Sequence, residues 1–175
     1  MRTKMLFLGV IMRKVLIIFL LFCVGAVFCQ AQSVETKPGF EISLSENLLA
    51  GNRPLMNFVG VNMGYSFKTN DKILMDLSFG ASATRQYFRS QVLSMMYGHE
   101  FRLSERYGTQ VAIGPGILRD INQEGVYSLK PVGVLDLQHR IYFSERSFVG
   151  FSGRAYLTKE LHLASFIGFT WGAKL

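Results

Sequence analysis

Apolar and polar residues alternate strictly along the segment from Val59 to Ala83. Apolar side chains occupy the odd positions from Val59 to Phe67 and again from Ile73 to Ala83, with the polar turn 68–71 between them. Alternation with a period of two is typical of β-strands that have one apolar face. Each strand has roughly the 9–11 residues that a tilted strand needs to cross a bilayer. The pattern predicts an amphipathic β-hairpin that is long enough to span a membrane.

The same alternation recurs along most of the chain after residue 38. The predicted strands are 39–47, 59–67, 73–83, 92–103, 107–114, 132–143, 149–157 and 163–175. Tight turns fall at 68–71, 104–106 and 144–147, whereas the connections 48–57 and 117–128 are longer. Pro115 cannot donate a ladder hydrogen bond, so we expect the fifth strand to bulge or end there. The fold class predicted is all-β, an eight-stranded antiparallel up-and-down transmembrane β-barrel.

Charged residues indicate which face of these strands meets lipid. The apolar face of the predicted strands is expected to carry no Asp, Glu, Lys or Arg, and its ionisable groups of note are His99 and His139. The opposite face carries four acidic and four basic residues: Glu41, Asp76, Glu100, Asp136, Arg102, Arg140, Arg154 and Lys174. An Arg or Lys at the lipid midplane costs about 2–4 kcal/mol, so the charges are predicted to line the barrel interior as a paired network. A soluble barrel would place the apolar face inside instead.

Two pairs are the first candidates for contact in this network. They are Asp76 with Arg102, and Asp136 with Arg154, because each joins opposite charges on neighbouring predicted strands. Eight strands enclose a space that side chains can fill, so an open diffusion pore is not expected. The structural interpretation is a buried salt-bridge network, and the functional alternative is a proton or ion path.

Aromatic residues cluster near the ends of the predicted strands. One set is expected near the tight turns: Tyr65, Phe67, Phe101, Tyr107, Phe143 and Trp171. The other set is expected near the longer loops: Tyr87, Phe88, Tyr127 and Tyr156. Aromatic girdles at both membrane interfaces are typical of transmembrane barrels.

The first 31 residues are predicted to be a cleaved signal peptide, with Met12 as the better start. A basic Met12-Arg13-Lys14 precedes the apolar run 15–28, and Cys29-Gln30-Ala31 follows it. The alternatives are an uncleaved anchor and a lipoprotein, although phenylalanine precedes both cysteines where a small residue is preferred. Residues 32–175 then form the barrel domain, without cysteine and with a charge of +3 instead of the +7 of the whole chain. Neither the charge nor its distribution indicates nucleic-acid binding.

The sequence contains few residues that could form a catalytic site. His162 is the histidine placed near the predicted loop rim, with Glu160 and Ser165 close by, but Ser165 faces the other side of its strand. A nucleophile and base must lie within hydrogen-bond reach of each other, so a lipid-modifying enzyme is an unfavoured alternative. Metal-binding, phosphate-loop and dinucleotide motifs are not found in the sequence, and we expect no cofactor.

The exported part of the chain resembles the small outer-membrane β-barrel families of Gram-negative bacteria. The resemblance rests on the leader end Cys29-Gln30-Ala31-Gln32, the alternating strands and the terminal pattern Phe166-Ile-Gly-Phe169-x-x-Gly172-x-Lys174. The last residue, Leu175, departs from the usual aromatic ending. Residues 141–154 also resemble the conjugal transfer protein TraO family, which are exported barrels encoded on conjugative elements.

These resemblances imply an outer-membrane location and contact with outer-membrane lipids. They imply a non-enzymatic structural or interaction role, with protein partners reached through the loops 48–57 and 117–128. A component of a conjugal transfer or secretion apparatus is the main alternative.

Overall fold

The computed structural model describes residues 38–51, 56–67, 70–82, 89–121, 126–159 and 162–175. The predicted signal peptide 1–31, and Tyr87 and Phe88 of the predicted girdle, lie outside these ranges. Within them, no helix is long and apolar enough to span a membrane.

Eight antiparallel strands form one closed barrel in which each strand pairs with its neighbour in sequence. The strands are β1 Gly39–Gly51, β2 Met56–Ser66, β3 Asp71–Ser82, β4 Arg89–Arg102, β5 Tyr107–Ile121, β6 Tyr127–Tyr142, β7 Ser147–Leu157 and β8 His162–Lys174. The barrel closes where β1 pairs antiparallel with β8, from Glu41 opposite Lys174 to Gly51 opposite Leu163. Closure leaves neither of these strands as a free sheet edge. The predicted fold class is confirmed.

Both predicted long loops are wrong in extent, because regular pairing continues into them. In 48–57, the ladder between β1 and β2 runs on to Leu49 opposite Met56. In 117–128, the ladder between β5 and β6 runs on to Ile121 opposite Tyr127. Backbone pairing needs no apolar face, so a hairpin can extend past the alternating segment with polar side chains such as Arg119 and Lys130. Alternation alone therefore underestimates the length of both hairpins.

The fifth strand neither ends nor leaves the sheet at Pro115. Pro115 pairs with Gly133 of β6, and β5 continues for six more residues to Ile121. The irregularity falls on the other side, where pairing with β4 is interrupted between Ser94 and Tyr97. There the backbones approach so closely that a Cβ on Gly114 would lie 2.0 Å from the carbonyl oxygen of Met95. Glycine at position 114 permits this approach.

Apolar side chains point outward from the barrel and polar ones point into the lumen. On the outer face many large apolar residues are widely exposed, for example Leu77 at 41% and Ile113 at 63%. On the lumen face the charged residues Asp76, Glu100 and Asp136 are fully buried, each 0% exposed. This is the inverse of a water-soluble barrel, and it fits a surface that faces lipid.

Glu46 contradicts the expectation that the outer face carries no acidic residue. It is exposed, and its register neighbours are Val59 on β2 and Phe169 on β8. The Asn57 side-chain amide donates a hydrogen bond of 2.9 Å to the Glu46 carboxylate. The alternating residues from Phe40 to Ser45, on which the prediction rests, do not include Glu46.

Replacing Glu46 with leucine is expected to stabilise the barrel by about 1 kcal/mol in lipid vesicles, because a carboxylate on the lipid face carries a modest cost. The measurement is the free energy of unfolding from a urea titration. Glu46→Gln is the matched control, since it removes the charge and retains a group that can bond Asn57. A loss of stability in both variants would contradict the lipid-facing placement of this side chain.

Candidate functional site

The lumen contains the predicted charged residues. The turn end is the end where the connections 67–70, 103–106 and 143–146 lie, and the loop end is the opposite one. Seven of the eight predicted residues are at least 90% buried, and Lys174 lies at the turn-end mouth with its side chain 12% exposed. The strand alternation places all eight on one face of the sheet, and barrel closure brings them together.

The first group, which we call the turn-end cluster, consists of Glu41, Lys72, Glu100, Arg102, Arg140 and Lys174. Lys72 bridges the two carboxylates, at 2.8 Å from Glu41 and 2.6 Å from Glu100. Arg140 reaches from β6 to Glu41 on β1 at 2.7 Å. Arg102 Nε donates to Glu100 at 2.8 Å, and its guanidinium carbon lies 3.6 Å from the centre of the Tyr142 ring. Tyr142 donates its hydroxyl hydrogen to Glu100.

The second group, which we call the central cluster, consists of Asp76, Asp136 and Arg154. Arg154 on β7 donates from Nε to Asp136 on β6 and from Nη1 to Asp76 on β3, both at 2.8 Å. Since β7 and β3 lie on opposite sides of an eight-stranded ring, this side chain crosses the lumen. Its Nη2 also donates to the Asn62 side-chain oxygen at 3.1 Å. Buried charges that are paired and hydrogen-bonded in this way avoid most of the desolvation penalty.

Gln138 joins the two clusters into one network. Its side-chain oxygen accepts hydrogen bonds from Arg140 at 2.7 and 3.0 Å, and its amide donates to Asp136 at 2.7 Å. A continuous chain of polar contacts therefore runs from Lys72 near the turn end to Asp76 at mid-height. Such a network fixes the positions of side chains that would otherwise have several alternative partners.

Apolar side chains fill the rest of the lumen, from Leu74 and Met96 beside the network to the loop end. These residues share the buried face of β2 to β7: Met56, Phe58, Leu74, Val92, Met96, Ala112, Leu118, Val132, Val134 and Tyr156. The centres of the Phe58 and Tyr156 rings lie 5.3 Å apart in the interior. The network and this apolar group together leave the barrel interior packed with side chains.

The structure supports one predicted ion pair and contradicts the other. Asp136 and Arg154 are directly opposite each other on β6 and β7 and are in contact. The Asp76–Arg102 pair is wrong, because Asp76 lies opposite Ser94 on β4, eight residues along the strand from Arg102. Arg154 takes the place of Arg102 beside Asp76, and Arg102 contacts Glu100.

Sequence reasoning missed Lys72 and misplaced Tyr156. Lys72 shares its face with Asp76, but it precedes the first residue of the predicted strand. The phenol ring of Tyr156 is buried in the lumen at 1% exposure, so Tyr156 does not belong to an outer aromatic girdle. Its even position, on the same side as Arg154, was the signal that could have shown this.

The predicted interfacial histidines lie on the outer face near the turn end, and each contacts a neighbouring strand. His99 Nδ1 lies 2.8 Å from Asp71 Oδ1, and His139 Nδ1 lies 3.0 Å from Thr109 Oγ1. Glu160 and the His162 and Ser165 side chains lie outside the described residues. Among the residues that are described, no group of three His, Cys, Asp or Glu side chains could hold a metal ion.

The closed ring, the apolar outer face and the packed lumen define the class as a small eight-stranded outer-membrane β-barrel fold. The chain is similar in structure to the N-terminal barrel domain of OprF from Pseudomonas aeruginosa, with TM-score 0.61 and 17% identity over 79% of this chain and 100% of that one. Neisserial surface protein A has TM-score 0.65 and 7% identity over 79% and 97%. Ail, the attachment invasion locus protein of Yersinia pestis, has TM-score 0.53 and 10% identity over 81% and 98%.

At these identities the likeness concerns the fold alone. No protein-family model matches the chain, and no curated protein matches it. The resemblance to the TraO family therefore stays a prediction.

Proposed function

We propose that this protein is a non-enzymatic outer-membrane barrel, closed to diffusion, that has a structural or interaction role. The observation that carries the proposal is the filled lumen. Arg154 crosses it and is 2% exposed, and buried apolar side chains such as Phe58 and Tyr156 occupy the lumen towards the loop end. Small barrels with interiors of this kind have no space for a permeating solute. The similar solved structures are outer-membrane barrels, which supports the same location.

The interaction role is proposed for the loop end, and especially for the β5–β6 hairpin. The β6–β7 ladder begins at Gly133, whereas β6 itself begins at Tyr127. This hairpin carries widely exposed apolar side chains, among them Tyr127 at 60% and Leu129 at 71%. Exposed apolar side chains of β6 that project beyond β7 favour contact with a partner or with lipid headgroups. Because strand pairing continues into the predicted loop 117–128, this surface is a paired hairpin.

Cell fractionation combined with gels of unboiled samples tests the location and the fold. We expect the protein in the outer-membrane fraction, with a mobility that shifts on boiling because the closed barrel resists detergent at room temperature. Recovery as a soluble periplasmic protein would contradict the proposal.

Mass spectrometry of lipid A from cells with and without the gene tests the absence of enzymatic activity, and altered acylation would restore the enzyme alternative.

A further inference from the structure

A groove of about 730 Å³ lies on the outer face of the barrel, over β6 and between β5 and the end of β7. Apolar residues form most of its lining, among them Ile113, Pro115, Pro131, Gly133 and Leu157. Thr158 and Lys159 line it at the loop-end rim. Ligand sites in proteins have volumes of about 300–1,000 Å³, so the groove has the size of a binding site. Its apolar lining makes it continuous with the lipid-facing surface.

Gly133 forms the floor of the groove. It pairs with Pro115 on β5 and with Leu157, the last residue of β7. A Cβ at position 133 would meet one described atom within 4 Å, the Leu157 carbonyl oxygen at 3.8 Å, which is an ordinary van der Waals distance. The space above Gly133 is therefore open on the outer face, and a side chain at this position would point into the groove.

Lys159 places a positive charge at the rim of the groove. It is exposed and lies two residues beyond the end of β7. Within the described ranges, no outward-facing position of β5, β6 or β7 is Asp or Glu, so these strands supply no counter-charge to Lys159. A cation at the edge of a lipid-facing groove attracts anionic lipid headgroups.

The position of the groove along the barrel fits a lipid molecule. Ile113 lies near the middle of the 15-residue strand β5, whereas Lys159 follows the loop end of β7. In barrels of this class the short turns are periplasmic, so the loop end meets the outer leaflet. An acyl chain extends from its headgroup at the membrane surface towards the middle of the bilayer. A lipid with its phosphate at Lys159 therefore has its chain along the groove, over Gly133.

We propose that this groove binds one outer-leaflet lipid of the lipid A class, in which phosphate groups and acyl chains are attached to the same headgroup. Lys159 contacts a phosphate, and Pro115, Gly133 and Leu157 contact one acyl chain. The inference rests on the outer-membrane location proposed above. It goes further because it assigns a single lipid to a defined groove, whereas the proposed role requires no more than a lipid-facing surface.

Native mass spectrometry of the purified, folded protein in detergent, titrated with lipid A, tests the site. We expect saturable binding of one lipid A molecule by the wild type. Gly133→Leu is expected to weaken this binding about tenfold or more, because the leucine side chain displaces at least two methylene groups of the acyl chain from the groove. Lys159→Gln is expected to weaken it about fivefold, as for the loss of one cation near the membrane surface.

Two control variants change the same kinds of side chain outside the groove. Ala81→Leu enlarges an exposed outer-face residue near the loop end of β3, three strands away from β6. Arg119→Gln removes an exposed cation from the outer face of β5 near the loop end. Neither residue lines the groove, and both variants are expected to bind lipid A as the wild type does.

The mobility shift on boiling, measured on the same samples, shows whether each barrel is folded. A wild type without this shift would contradict the proposed barrel, whereas a folded wild type that does not bind lipid A would overturn the lipid site alone. Wild-type binding by Gly133→Leu or Lys159→Gln, or equal binding of lipid A and dephosphorylated lipid A, would also overturn the site. Lys159→Gln changes an exposed side chain outside the strands, so it decides the question even if Gly133→Leu does not fold.

Discussion

Replacing Arg154 with methionine is expected to destabilise the folded barrel by about 3–5 kcal/mol, the usual cost of breaking a buried ion pair. Arg154 is the one described cation that contacts Asp76 or Asp136, and both carboxylates are 0% exposed. Methionine fills most of the volume but leaves two buried negative charges facing each other across the lumen. The measurement is the free energy of unfolding in lipid vesicles, followed by the fluorescence of Trp171, the single tryptophan of the chain.

Two further variants separate loss of charge compensation from loss of packing. Adding Asp76→Asn and Asp136→Asn to Arg154→Met is expected to restore most of the lost stability, since no charge then remains unpaired in the central cluster. Arg119→Met changes the same residue type on the outer face, where Arg119 lies over the Tyr127 ring. An exposed site of this kind is expected to cost less than about 1 kcal/mol. A change below that value for Arg154→Met would contradict the buried network.

Replacing Leu77 with arginine is expected to cost about 2–4 kcal/mol in a bilayer, the penalty for a cation near the lipid midplane. Leu77 lies midway along β3, and its register neighbours are the apolar residues Val61 and Leu93. Its exposed fraction is 41%. On a soluble protein an exposed leucine tolerates this change within about 0.5 kcal/mol, so the substitution distinguishes a lipid-facing surface from a water-facing one.

Leu103→Arg is the matched control for Leu77→Arg. Leu103 is 42% exposed and lies in the turn 103–106, at the rim of the barrel. Cations near the membrane interface cost about 0–1 kcal/mol. Urea titrations in lipid vesicles are therefore expected to show a large loss for Leu77→Arg and a small one for Leu103→Arg. Equal small losses in both would contradict the inverted faces.

The alternation of side chains was enough to predict the barrel and the face on which the charges lie. Each strand residue points to one of two faces. Once the side chain of Asp76 is placed in the lumen, every second residue of β3 is therefore placed there too. The same rule gives the correct face for Lys72 and Glu46, but both residues lie just outside the alternating segments on which the prediction rests. It failed at the strand ends, because paired backbone extends beyond the residues that meet lipid.

The contacts within the lumen could be predicted only where they follow strand pairing. Asp136 and Arg154 are direct neighbours in the register, and the pair was found. Asp76 and Arg154 lie on opposite sides of the ring, so their contact depends on closure and on the length of the arginine side chain. Alternation within single strands carries no information about either.

Planar-bilayer recording of the purified protein tests the filled lumen most directly. The central cluster and the buried apolar side chains fill the lumen, so we expect insertion without a defined conductance step. A reproducible open channel, with a conductance that scales with the salt concentration, would contradict the packed interior.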